Sequence, residues 1–200
     1  NTLPGFIWRI PVSPFESRLG LFTTGSYQHA AKILNQYLET KDTIAEKVYG
    51  LIPKFNPKKK IVKNNTFLIG DAASQVKPTT GGGLIAGFNI TDIAVENTDL
   101  MLKNQDNNYL KKYETDYHTL YDNEFKTQQN VQKIMKDLTE DDFNYMFKIL
   151  RQYNVDEIIS QYGDMDNQTQ LLKQLIKSGI IFKLVPKIGI RRLKNIWKSQ

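Results

Sequence analysis

Cysteine is missing from all 200 residues, and histidine occurs only twice, at His29 and His118. The first absence excludes disulfides and cysteine-ligated metals and is compatible with a cytosolic setting. The two histidines are too few and too far apart to suggest a metal site, and both read as helix-surface residues. No hydrophobic run is long enough to span a bilayer, and no secretory signal pattern is visible. Neither the dinucleotide fingerprint Gly-x-Gly-x-x-Gly nor the phosphate loop Gly-x-x-x-x-Gly-Lys-Ser/Thr occurs. Acidic residues are missing from positions 171–200, which hold eight Lys and Arg, whereas the other 170 residues carry 19 basic and 21 acidic groups. The whole positive excess therefore sits at the carboxy-terminal end.

What is present is ordinary globular material, 40% hydrophobic and 24% charged, enough for one domain or a domain and a half. Residues 5–12 and 17–24 read as strands joined across Ser13-Pro14 into a hairpin. The apolar stripe Ala30, Ile33, Leu34, Tyr37, Leu38 predicts a helix over 27–39. Residues 44–53 read as extended, and 53–60, with Lys58-Lys59-Lys60, as a solvated loop. A strand is expected at 61–69 and a helix at 84–103. Helices follow at 108–136, 140–152, 155–162, 169–178 and 180–198. Thr139 and Asp142 have the spacing of a capping box. Tyr109, Tyr113, Tyr117 and Tyr121 recur every four residues, which reads as helix packing rather than a ligand site. Pro186 and Gly189 interrupt the last helix.

One segment carries chemistry. Residues 69–87 run Ile-Gly-Asp-Ala-Ala-Ser-Gln-Val-Lys-Pro-Thr-Thr-Gly-Gly-Gly-Leu-Ile-Ala-Gly. Strand, acidic residue, glycine-rich loop and helix follow one another. Glycines let the backbone approach a ligand closely, and a helix start favours an electron-rich group. Asp71 is placed to accept hydrogen bonds from ligand hydroxyls. On geometry alone, a ligand-free turn of an α/β protein fits equally well. Gly83 to Gly87 also matches the membrane spacing Gly-x-x-x-Gly, but Asn89, Asp92 and Glu96 soon interrupt it.

Gly70-Asp71-Ala72-Ala73 followed by Lys77-Pro78-Thr79-Thr80-Gly81-Gly82-Gly83 resembles the second FAD-binding motif of the geranylgeranyl reductase family. Archaeal members that saturate the isoprenoid chains of membrane lipids match most closely. Flavin hydroxylases of the same fold share the Gly-Asp-Ala start but typically place His where this chain has Ser74. Pro4-Gly5-Phe6-Ile7-Trp8-Arg9-Ile10-Pro11 is similar to the family's Tyr-x-Trp-x-Phe-Pro motif of the lipid-chain cavity, with Phe6 for Tyr and Ile10 for Phe. Tyr49-Gly50-Leu51-Ile52-Pro53 sits where the family carries a Gly-x-Ile-Pro turn. The resemblance runs from about residue 3 to about residue 150.

The resemblance implies an α+β flavoprotein of the hydroxylase type, with the amino-terminal dinucleotide-binding βαβ unit outside these residues. It divides the chain into a substrate-sheet portion at 1–60, an FAD-closing segment at 61–105 and a helical region at 106–200. It implies FAD as cofactor, bound by Asp71, Ala72, Pro78, Gly82, Gly83 and Leu84, with Asp71 on sugar hydroxyls and the amides near Gly83 and Leu84 facing the ring. Phe6, Trp8, Ile10 and Pro11 would line a prenyl-chain tunnel. The implied partners are a prenylated lipid, an electron donor (ferredoxin, NAD(P)H or deazaflavin) and an amino-terminal half, either part of a longer enzyme or a separate chain. No residue is singled out as proton donor. A flavin monooxygenase and a non-catalytic lipid- or partner-binding remnant are the alternatives. The basic end at 171–200, interleaved with Ile, Leu and Trp197, suits either an anionic membrane surface or docking as a terminal helix; nucleic acid is not expected. Together these imply a cytoplasmic protein peripherally associated with the membrane.

Overall fold

The alternation of apolar and polar residues after Gly5 produces an antiparallel hairpin, β1 (Phe6–Ser13) with β2 (Glu16–Phe22). A computed structural model describes residues 5–189 of the chain, with the backbone alone at 185–188. The hairpin register pairs Phe6 with Phe22, Trp8 with Gly20 and Ile10 with Arg18. Gly20 is required there, because a Cβ would fall 2.1 Å from the Trp8 indole that lies over it. Helix α1 (Tyr27–Asn35) starts at Ser26, whose hydroxyl accepts from the His29 amide. It ends four residues earlier than its apolar stripe predicts: the amides of Gln36, Tyr37 and Leu38 turn back onto carbonyls three residues before them. Residues 44–53 join no strand ladder among the described residues. Together these form one compact unit, Asn1–Ile52.

The second unit, Pro53–Gln200, is built mainly of helices. Where a single strand was expected at 61–69, a miniature hairpin forms, β3 (Val62–Lys63) against β4 (Thr66–Phe67). The cause is Asn64, which takes a positive φ of 52°, a conformation asparagine tolerates and most residues resist. Lys59 is not part of a purely solvated run either; its ammonium donates to the Ser74 hydroxyl at 3.2 Å.

Helices α2 (Leu84–Asn104) and α3 (Asn108–Lys136) pack against each other across a three-residue connection. Ala86, Ile90 and Ala94 of α2 recur every fourth residue and meet Tyr113, Tyr117 and Phe125 of α3. The tyrosine stripe is thus packing, as its period predicts, with Tyr113 and Tyr117 buried. Where the α2–α3 seam turns polar, Asn97 and Lys112 both donate to Asp116, at 3.1 and 2.6 Å. The Lys112 hydrogen bond holds the Asp116 carboxyl below its usual range.

Helices α4 (Glu140–Gln152), α5 (Val155–Tyr162), α6 (Gln168–Lys177) and α7 (Ile180–Ile188) complete the unit. Thr139 and Asp142 form the expected capping box. A second core cluster joins Leu138, Ile149, Val155, Ile180 and Leu184. The first half of the basic end is therefore docked through buried apolar residues, and removing 171–200 would dismantle this cluster rather than leave the fold intact. Helix α7 continues past Pro186 and stops at Gly189, whose φ of +87° suits glycine alone. The expected course of the chain over 190–198 lies outside the described residues. No described helix is long and apolar enough to cross a membrane.

Candidate functional site

Beyond β4 the chain runs through Leu68 and Ile69 into a 3₁₀ turn, Gly70–Ala73, flanked by Gly70 at φ +64° and Ser74 at φ +58°. Asp71 thus stands on a tight turn and not directly at a strand end. A wholly buried side chain, Gln75, holds the turn from inside: its Oε1 accepts from the Gly70 amide at 2.7 Å and its Nε2 donates to the Tyr113 hydroxyl at 3.1 Å. Tyr113 in turn donates to the Leu68 carbonyl at 2.8 Å. Burial raises the Tyr113 pKa and keeps that phenol a donor. With the inner side satisfied, Asp71 and Ala72 are left facing outward, exposed.

Val76, Lys77 and Pro78 are buried, and the next residues close into a loop on themselves. The Gly81 amide donates to the Lys77 carbonyl at 2.8 Å, and the Lys77 amide to the Gly82 carbonyl at 3.0 Å. Gly81 adopts φ +70°. A Cβ on Gly82 would press on Lys77 Cε at 3.1 Å, so any side chain there would push the lysine aside by a few tenths of an ångström. The amides of Ser74, Gln75, Lys77, Gly81 and Gly82 are all committed within the segment.

The first turn of α2 differs. Gly83 is its N-cap, with no side-chain cap and no acidic residue in the first turn. Among the described residues, no acceptor engages the amides of Gly83, Leu84 or Ile85. These are the orphan donors every helix start presents. A Cβ placed on Gly83 would stand 3.9 Å from Asp71 Oδ1, so the loop brings carboxylate and helix start together across twelve residues of sequence. The result is an open, outward-facing corner combining one carboxylate, a bare helix N-terminus and the exposed apolar side chains of Leu84, Ile85 and Phe88. It can accept from hydroxyls through Asp71 and donate to an electron-rich group through the amides.

The other residues expected from sequence separate into groups. Pro78 is buried and its carbonyl accepts from Gln132. Gly82 lies inside the closed loop. Phe6, Trp8 and Ile10 belong to the other compact unit, where they share one face of β1 with Val12 and are all partly exposed. Alternation along the strand turns Pro11 to the opposite face, so β1 does not present the four together. A cleft of about 530 Å³ opens elsewhere, between α3 and the start of α6, lined by residues such as Thr119, Glu124, Asn167 and Lys173; it touches none of the residues above. Among the described residues, no cluster of His, Asp or Glu could hold a metal ion. Gln75, Gln128 and Gln132 leave no local signal in the sequence, because they bond to partners 38, 49 and 54 residues away. Only Tyr113 left a signal, as one member of the tyrosine stripe.

No family model matches the chain. It is 31% identical over 189 residues to an uncharacterized protein of Methanocaldococcus jannaschii, covering 90% of this chain and 48% of that one. It is 28% identical over 160 residues to digeranylgeranylglycerophospholipid reductase 2 of Methanopyrus kandleri, covering 73% of this chain and 40% of that one. Among solved structures it resembles a geranylgeranyl bacteriochlorophyll reductase-like protein of Thermoplasma acidophilum. That match has a TM-score of 0.63 and 16% identity, over 100% of this chain and 48% of the other, a likeness of fold. The chain spans about half the length, or less, of the relatives it matches.

Proposed function

Since the chain belongs to the geranylgeranyl reductase family and corresponds to a carboxy-terminal portion of its members, we propose that it forms the glycine-loop half of an FAD-dependent enzyme. That enzyme reduces geranylgeranyl double bonds of membrane lipids or their precursors. The observation that carries this reading is the pairing of Asp71 with the uncapped start of α2. A flavin carries both the hydroxyl-bearing chain and the electron-rich ring edge that such a corner accommodates. Bound FAD supplies the electrons for alkene reduction. Asp71 holds the hydroxyls of the cofactor's sugar-like chain. The amides of Gly83 and Leu84 would donate to an electron-rich group of the bound flavin and favour negative charge there. Pro78 and Gly82 lie in the closed loop that leads to those amides, and Ala72 is exposed beside Asp71. On the hairpin, Phe6, Trp8 and Ile10 present the apolar surface suited to a prenyl chain, with Pro11 shaping the strand behind them.

Gly-x-Gly-x-x-Gly does not occur in these 200 residues, and we assign the adenine-side diphosphate to a dinucleotide-binding half outside them. Support comes from α2, where Leu84, Phe88, Val95 and Leu102 fall on one stripe along the whole helix and all are exposed, Leu84 by 77% and Leu102 by 67%. An electron donor and a prenylated lipid complete the reaction. The basic end at 171–200 would bring the enzyme to an anionic membrane surface. Exposed Lys173, Lys177 and Lys183 support this, and replacing the basic residues of 190–200 with Gln should reduce sedimentation with anionic vesicles.

The decisive experiment combines the chain with a dinucleotide-binding half of an archaeal relative and looks first for flavin absorbance. Anaerobic reduction with geranylgeranyl lipid should then add two hydrogens per double bond by mass. Incorporation of oxygen would identify a monooxygenase, and absence of flavin would end the reading.

A further inference from the structure

The loop that precedes α2 is gripped from its far side by side chains of two other helices. Thr79 Oγ1 donates to Gln128 Oε1 at 3.2 Å, and Gln128 Nε2 donates to Glu124 Oε1 at 2.8 Å. The same Glu124 oxygen accepts from the Gln168 amide at 2.8 Å, and Gln168 Nε2 returns to Thr79 Oγ1 at 2.9 Å. The four residues form a closed circuit joining loop, α3 and the first turn of α6. Two further ties flank it. Lys77 Nζ meets Asp166 Oδ1 at 2.6 Å, and Gln132 donates to the Pro78 carbonyl.

Apolar packing could close this junction without burying polar groups. A partly buried circuit centred on Gln128 is instead demanding: each member must be satisfied, and the partners found here fix one arrangement. Gln128 is wholly buried, and the Lys77 side chain is 11% exposed. Glu124 is fully engaged, since its second oxygen accepts from the Thr169 amide at 3.1 Å. The directionality is also fixed, because Gln128 must accept from Thr79 and donate to Glu124. Such a network determines where residues 77–79 sit. Only three glycines and Thr80 separate them from α2, and glycine itself supplies no side chain to hold a position.

We propose that Gln128, Gln132, Asp166 and Gln168 are positioning residues. They clamp Lys77, Pro78 and Thr79 so that the tight Gly81–Gly83 turn delivers the α2 amides to Asp71 and to the flavin. The assignment rests on the functional reading above for its ligand, though not for the clamp. It makes the start of α6 and the loop before it part of the machinery of the flavin site.

Hydrogen exchange on the 200-residue chain, read over 78–87, tests the clamp without any cofactor. Asp166 lies at the surface, so Asp166→Asn should fold. It and Gln128→Leu should each raise exchange over 78–87 by about tenfold, the loss of one or two hydrogen bonds, while α4 stays unchanged. Asp166→Glu should restore protection. In the chain combined with its dinucleotide-binding half, the same two variants should weaken flavin binding by about tenfold and alter the shape of the flavin band. Unchanged exchange in both variants overturns the clamp whatever the flavin does. Faster exchange with unaltered flavin affinity and spectrum overturns the positioning role. If the unmutated assembly binds no flavin, the functional reading and the positioning role fall together, and exchange alone then decides the clamp.

Discussion

At the scale of single residues, Asp71 and Tyr113 stand on opposite sides of one turn, one exposed and one buried. Asp71 is exposed and holds no partner the fold depends on, whereas Tyr113 is buried and serves both Leu68 and Gln75. Substitution should therefore split cleanly. Asp71→Ala should weaken flavin retention in the combined protein with the melting temperature unchanged. Tyr113→Phe should lower stability by about 1–3 kcal/mol, because it leaves the half-buried Leu68 carbonyl and the buried Gln75 side-chain amide without their partner. Thermal melts beside flavin titrations check both, and a destabilised Asp71→Ala would contradict the assignment. The recurrence of tyrosine every four residues disclosed the packing. It did not disclose the hydrogen bonds of Tyr113, since its partners at Leu68 and Gln75 lie 45 and 38 residues away.

Elements were legible where local signals agreed. The first hairpin, the long helices α2 and α3, the capping box at Thr139 and the ends of α5 are where periodicity and turn residues put them. The strand expected at 61–69 failed because its apolar pattern outweighed Asn64-Asn65, a turn signal inside the run. Helix α2 gives the element-scale prediction. Its inner stripe is filled by α3, while its outer stripe at Leu84, Phe88, Val95 and Leu102 stays exposed. Phe88→Glu should leave the melt of the chain alone unchanged, because Phe88 is 65% exposed. The same change should abolish co-purification with the dinucleotide-binding half, since a charge would be buried unpaired. Retained co-purification would overturn the proposal that this stripe is a docking surface.

For the whole molecule, the buried tyrosines make stability depend on pH in a definite direction. Burial raises the pKa of Tyr113 and, more strongly, of Tyr117 above the ordinary phenol value. A raised folded-state pKa means that the unfolded chain ionises first, at about pH 10. The stabilisation is complete below that pH and is lost as pH climbs toward the folded values. Melting temperature should thus drop between about pH 9 and 11, and Tyr117→Phe should lose less over that interval. An equal drop in the variant would remove Tyr117 as the cause. The second core cluster bears on the basic end: it contains Ile180 and Leu184, so the first half of that end is structural whatever surface its lysines meet.

By itself the sequence determined the order and kind of nearly all elements, the placement of a glycine loop before a helix, and the family the loop resembles. Those properties are set by neighbours a few residues apart, through period, turn chemistry and caps. Tertiary structure alone decided that Asp71 comes beside Gly83, that α2 starts uncapped, and that the loop is held by Gln128, Gln168 and Asp166. A polar side chain finds distant partners only once the backbone has brought them within about 3 Å, and local pattern does not encode that distance.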